Sequence, residues 1–375
     1  PQAVEQYEAA AESIAAQLVN SDAIRTQRFD CQDGQLEPVC LDNGFRTLGL
    51  RVWRRPLTGG EVAGFVDLYG ILSERFSEPF LPLKFVITAL FQSPYFLFRI
   101  EQGENDPNAP GQRRFTNYEM ASRISFLVWN SGPGDALLTA AARGDLVETE
   151  GLNAAVERMF EDDRAKASML RFFSEYLSLS KLDELQKNRE VFPLMSETLG
   201  ASMRQEMESM IEGVLFDDGG RNVHELLTTK DTRLNDELAS IYQVNIDDDW
   251  SHFQFGDNHP RAGLLTTAGF LAMNAHNTVT SPTFRGKYIQ NKLFCFDVPP
   301  PPPGVAVELA PLEGDGPLTT RERLAQHRDD PACNGCHQLM DPMGLAFENF
   351  DALGMWRTAE HGLPIDASVE LGGQR

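Results

Sequence analysis

Apolar side chains recur three and four residues apart along most of the chain, the period of a helix that buries one face. Gln2 to Val19 reads as an amphipathic helix on that ground. Thr58 with Glu61 has the S/T-x-x-E spacing that closes a helix N-terminus from both sides, and predicts a helix to about Leu72. Leu83 to Phe91 keeps helical spacing until Ser93-Pro94 interrupts it. Thr116 with Glu119 repeats the capping pattern ahead of a helix with Met120, Ile124, Leu127 and Val128 on one face. Leu152, Val156, Met159 and Phe160 continue the spacing, followed by Leu170, Phe173 and Leu177. Met203, Met207, Met210, Ile211 and Val214 form a further stripe, read as core filling because methionine adapts to irregular gaps. Thr319-Thr320-Arg321-Glu322 predicts one more short helix. The chain has no sustained two-residue alternation, no glycine-rich phosphate loop and no repeat of fixed period. The expected fold class is all-α: multi-helical, in two or three helical domains.

Two segments break this pattern. Glu101 to Arg114 is polar and rich in Pro, Gly and Asn, and the stretch from Pro299 to Pro317 opens with five prolines, a stiff spacer. They divide the chain into an N-terminal helical domain (1–102), a central helical domain (115–298), a proline-rich linker (299–317) and a C-terminal segment (318–375).

Composition narrows the class. With 375 residues, 42% of them hydrophobic, the chain is long enough to bury real cores. A net charge of −22 repels nucleic-acid phosphate and anionic lipid, so no nucleic-acid partner is expected and protein partners should be basic or neutral. The most apolar stretch, Phe80 to Ile100, is broken by Pro82, Lys84, Gln92, Ser93 and Pro94 and falls short of the roughly 20 uninterrupted residues of a membrane span. The chain starts at Pro1 without an initiator methionine, and is expected to be a piece of a longer precursor.

The chemistry concentrates at Cys333-Asn334-Gly335-Cys336-His337. This C-x-x-C-H spacing lets two thiols add to the two vinyl groups of one porphyrin while the next imidazole turns under the iron. Gly335 leaves room for the backbone to approach the macrocycle. A zinc site is the alternative, with His327 as the nearest further ligand, and a thioredoxin-like C-x-x-C would need an α/β context that is absent. The expectation is one covalent haem c with His337 as proximal iron ligand, on a cytochrome c-like segment near the C-terminus. Haem attachment of this kind takes place outside the cytoplasm. That supports a disulfide between Cys31 and Cys40 across a short polar loop, contributing about 2–3 kcal/mol. Cys295 is left over, either buried and inert or paired with a segment outside this chain.

Met340 and Met343 lie too close to His337 to round the ring edge and reach its far face, and read as proximal-side packing. Distal candidates are His276 and Met273, then His252 and His259. Arg285, Arg328 and Arg357, with Lys287 and Arg321, are candidates for the haem propionates, since a guanidinium grips a carboxylate bidentately. Asp341, Glu348 and Asp351 offer oxygen ligands for a calcium ion, with helix capping by Asp341 and ion pairing to Arg357 as the plainer roles.

The segment C-N-G-C-H-Q-L-M-D-P-M-G-L-A-F-E-N-F-D-A-L-G-M-W-R resembles the haem-binding domain of the planctomycete-type multidomain exported c-type cytochromes, whose consecutive domains are of unknown function. R-A-G-L-L-T-T-A-G-F-L, T-S-P-T-F-R-G-K and the C-F-D-V-P-P-P-P-P run look like the approach to that domain. Y-E-M-A-S-R-I-S-F-L-V-W-N-S-G-P-G-D and F-R-T-L-G-L-R-V-W-R-R-P-L-T-G-G-E-V look like the two domains before it. The resemblance implies haem c, export to a periplasmic or secreted location, and further domains beyond both ends of this chain. It leaves three functions open. One is electron transfer with a redox partner protein. Another is a haem c oxidoreductase, peroxidase- or oxygenase-like, with an open distal site. The third is an assembly or binding module with a structural haem.

Overall fold

Capping boxes set the start of three helices in the computed structural model, which describes residues 2–29, 36–78, 80–217, 222–300, 317–328 and 331–370. Side chains at 24, 26–28, 326–328, 331 and 332 also lie outside the description. Among the described residues 59% of the chain is helical and the strands are few and short. The chain divides into two compact units, 1–168 and 169–375.

Unit 1 opens with α1 (Gln2–Asn20), α2 (Asp22–Phe29) and α3 (Pro38–Val52). Thr58 Oγ1 accepts the Glu61 amide while the Glu61 carboxylate accepts the Thr58 amide, closing α4 (Gly59–Ser73) as the spacing predicts. α5 (Leu81–Gln92) buries Leu83, Val86, Ile87 and Leu90, and Ser93 ends it and caps the short α6 (Pro94–Leu97). These helices share one core around Phe45, Trp53 and Leu83.

A two-stranded ribbon, β1 (Glu104–Asn105) with β2 (Arg113–Arg114), fills the polar Glu101–Arg114 segment. Beyond it the Thr116–Glu119 box opens α7 (Asn117–Trp129), followed by α8 (Asp135–Arg143) and α9 (Thr149–Phe160) around a smaller core. Leu127 and Phe160, placed on buried faces by their spacing, are 75% and 52% exposed instead. Each sits at the margin of a narrow apolar stripe that the neighbouring helices do not reach.

The boundary between the units falls inside α10 (Asp163–Tyr176). In unit 2, α11 (Leu199–Phe216) buries the whole stripe Met203, Met207, Met210, Ile211 and Val214. A second ribbon, β3 (Asp231–Leu234) with β4 (Ser251–Gln254), lies against α11 and α12 (Asp236–Tyr242). Four residues per strand are too few for alternation to stand out in the sequence, although Thr232 and Leu234 are buried on one face of β3. The unit continues through α13 (Ala268–Met273), α14 (Pro282–Lys292), α15 (Thr320–Arg328), α16 (Pro331–Leu345) and a last ribbon, β5 (Ala359–Glu360) with β6 (Leu363–Pro364). Thr319 and Glu322 exchange their predicted bonds at the start of α15.

The segment after the proline run shares the core of unit 2, where Phe350, Ala352 and Leu353 join the α11 methionines. Residues 301–316, most of the expected linker, lie outside the described residues. No helix among the described residues is long and apolar enough to cross a membrane.

Candidate functional site: the Cys333–His337 helix

All five residues of the C-x-x-C-H motif lie on α16. Helical geometry puts residues three and four apart on one face, so Cys333, Cys336 and His337 point to the same side. Both cysteines are free and partly exposed. Among the described residues nothing lies within 4 Å of where a Cβ would stand at Gly335, on the side of the helix away from the two thiols and the imidazole.

His337 is oriented from behind. Its Nδ1 lies 3.1 Å from both carboxylate oxygens of Asp341, one helical turn further on. Asp341 is fully buried, and its Oδ1 also accepts a hydrogen bond from Thr283 Oγ1 at 2.8 Å. A carboxylate on one imidazole nitrogen fixes the tautomer with its proton there, so that Nε2 carries the lone pair a metal would take.

Thr283 belongs to α14, and α14 and α16 cross at backbone contact. A Cβ at Gly286 would stand 1.8 Å from the Met340 carbonyl oxygen, and one at Gly344 would stand 1.8 Å from that of Pro282. Only glycine permits this approach, and the approach brings Thr283 within reach of Asp341. Met340 is buried at the crossing and Met343 packs against the core.

A charged network fastens the turn after α16. Arg285 has no exposed surface; it donates to the carbonyls of Phe347 (2.9 Å), Phe350 (3.1 Å) and Asp351 (2.8 Å) and pairs with Glu348 at 3.4 Å. Burial pushes its pKa down to about 10, with the Glu348 carboxylate acting in the opposite direction. Glu348 also accepts from Thr280 at 2.9 Å and from Arg357 at 3.0 Å. Arg357 lies 3.5 Å from Glu360, which in turn accepts the Thr320 amide (2.6 Å) and hydroxyl (2.8 Å) at the start of α15.

Arg285 and Arg357, candidates for haem propionates, thus spend these bonds on the protein's own carbonyls and carboxylates. Arg321 likewise donates to the carbonyls of Asp366 and Ser368 at 2.7 and 2.6 Å. The Arg328 side chain lies outside the described residues. Glu348 pairs with Arg357 as expected, whereas Asp341 bonds His337 instead of capping a helix. Asp351 accepts the amides of Leu353 and Met355 at 2.8 and 2.9 Å. Asp341, Glu348 and Asp351 are therefore held by separate protein partners. Among the described residues no group of three or more His, Cys, Asp or Glu side chains is placed to hold a metal ion, calcium included.

The distal candidates are scattered. His276 is exposed, with its ring centroid 4.8 Å from that of Phe284 on α14. Met273 packs against the unit 2 core. His252 Nε2 lies 3.3 Å from Asp231, and His259 stacks on Phe255 at 4.4 Å. Cys40 is disulfide-bonded; Cys31, its expected partner, lies outside the described residues. Cys295 is free and exposed, not buried.

The partnership missed in the sequence is Asp341 with His337. Its signal was the four-residue step from His337 to Asp341, which acquires meaning only once the motif is known to be helical.

Three family models match successive stretches of the chain. Residues 40–101 match the PSD5 family, described as a protein of unknown function (DUF1595). Residues 115–244 match PSD4, a protein of unknown function (DUF1592), and residues 261–360 match PSCyt3, a protein of unknown function (DUF1588). No curated protein and no solved structure matches the chain. The chain carries three consecutive domains, of the PSD5, PSD4 and PSCyt3 families in that order, and the Cys333–His337 helix with its supporting residues falls within the third.

Proposed function

We propose that this chain binds one haem c through thioethers to Cys333 and Cys336, with His337 Nε2 on the iron, and serves extracytoplasmic electron transfer. The observation that carries the reading is the shared face of α16, with two unbridged, partly exposed thiols and an imidazole whose Nδ1 is engaged by a buried carboxylate. That donor set fits the group: soft sulfur for the porphyrin edge, and neutral nitrogen for the iron. Bound there, haem c supplies one-electron chemistry. Asp341 holds the imidazole and Thr283 holds Asp341. The Arg285–Glu348–Arg357 network keeps the following turn in place. The PSCyt3 name hints at cytochrome-related proteins. The periplasmic or secreted location follows from the haem, since its attachment occurs outside the cytoplasm. Redox partners would be another protein or further domains of the same precursor.

The Asp341–His337 bond also favours a second reading, an oxidoreductase with an open sixth position. A carboxylate makes the ligand more basic and favours the iron in its more highly charged state. Absorption spectra of the reduced protein with and without carbon monoxide separate the two. Electron transfer with both axial positions filled predicts no spectral change. A shift of the main haem band identifies the open site and overturns the electron-transfer reading.

A further inference from the structure

Unit 1, which contains none of the proposed haem residues, has a cleft of about 770 Å³, lined by Arg51, Arg54, Arg99, Phe98, Phe126 and Tyr7 among others. Three guanidiniums in one cleft stand out on a chain of net charge −22. Arg51 is neutralised by Asp135 at 2.6 Å. The other two have no carboxylate partner among the described residues.

Arg54 is buried, 7% exposed, and held in a left-handed backbone conformation with φ 61°. It donates to four carbonyls, those of Val52 (3.2 Å), Phe96 (3.3 Å), Tyr95 (2.7 Å) and Phe98 (2.9 Å). These bonds satisfy its N–H groups without cancelling its charge. Arg99 is exposed, and its guanidinium stands 5.3 Å from the Phe126 ring centroid, with that of Arg54 at 5.6 Å from the same ring. Burial, and then the charge of Arg99, lowers the Arg54 pKa. Two like charges are thus held around one aromatic ring, an arrangement that a bound anion relieves. Beside them Phe98 and Tyr7 are 64% and 58% exposed, offering ring faces to a flat ligand.

We propose that this cleft binds a small planar aromatic carboxylate, its carboxylate taken by Arg99 in the field of Arg54 and its ring lying against Phe98 and Tyr7. The guanidinium fork matches a carboxylate in two parallel bonds, and the cleft volume lies within the usual range of small-molecule sites. The site is independent of the haem reading.

Calorimetric titration of the full chain with 2-naphthoate, 2-naphthamide and inorganic phosphate tests it. The expected result is saturable one-to-one binding of 2-naphthoate, with affinity about tenfold lower for 2-naphthamide and about tenfold lower for 2-naphthoate in Arg99→Ala, because a charge-assisted pair is lost in each case. Phe98→Ala should weaken 2-naphthoate while leaving phosphate unaffected. Arg99 and Phe98 are both exposed, so neither change removes core packing. The proposal is overturned if 2-naphthoate does not saturate, if Arg99→Ala binds it unchanged, if the amide binds equally well, or if phosphate binds as tightly as 2-naphthoate.

Discussion

Asp341 has no surface exposure, and two groups reach its carboxylate: the His337 ring from its own helix and the Thr283 hydroxyl from α14. Replacing the carboxylate by an amide keeps the shape and removes the charge. Asp341→Asn should therefore weaken the imidazole as a donor and disfavour the higher iron charge. The reduction potential of the loaded protein, measured by spectroelectrochemistry, should rise by about 60 mV, which is tenfold in the equilibrium constant of a one-electron couple. An unchanged potential would mean that Asp341 does not act on the metal through His337. The motif residues themselves were legible from spacing alone. Asp341 was visible as an acid near the motif but not as its partner, because calcium, capping and ring orientation all use the same side chain. Arg285 was misleading for a related reason. An arginine close to a C-x-x-C-H motif suggests propionates, and only its complete burial reveals that it holds the turn at Phe347–Asp351.

At the scale of elements, the three capping boxes were the strongest local signals, and α4, α7 and α15 begin where they place them. A reciprocal cap satisfies helix-end amides with side chains three residues apart, so it needs no tertiary information. The α14–α16 crossing is the opposite case. Gly286 and Gly344 are ordinary helix-weakening residues in the sequence, and their use emerges only from the partner backbone 1.8 Å from each absent Cβ. Gly286→Ala would drive the helices apart and move Thr283 from Asp341. Overpacking of this kind costs about 1–3 kcal/mol. The prediction is a lower thermal midpoint for the variant, together with a smaller fraction of chains carrying pigment. Equal stability would show that the crossing is loose enough to admit a methyl group.

For the molecule as a whole, helical periodicity conveyed the fold class but not the division into units. The boundary falls within α10, where no proline, glycine or charge run marks it, and the C-terminal segment joins the core of unit 2. Such long-range pairing leaves no local trace. Unit 2 also holds a buried carboxylate, Glu206, that among the described residues receives hydrogen bonds only from neutral groups: Tyr242 Oη at 2.6 and 2.7 Å and Thr232 Oγ1 at 3.0 Å. Burial pushes its pKa up to about 7, from 4.5. The folded state thus binds this proton more tightly than the unfolded chain. Its contribution is fully present below about pH 4.5 and is lost as the pH rises to about 7, a change on the order of 3 kcal/mol. Denaturant unfolding across this range should show the slope in the wild type and a flatter profile in Glu206→Gln; identical profiles would contradict it.

Whether two sulfurs tether a porphyrin to this chain is read by mass spectrometry of the denatured protein, produced in a host that attaches haem c. One haem mass retained on the wild-type chain under denaturing conditions, and none on Cys333→Ala/Cys336→Ala, is the predicted result. A wild-type chain that emerges at the mass of its polypeptide alone would contradict it.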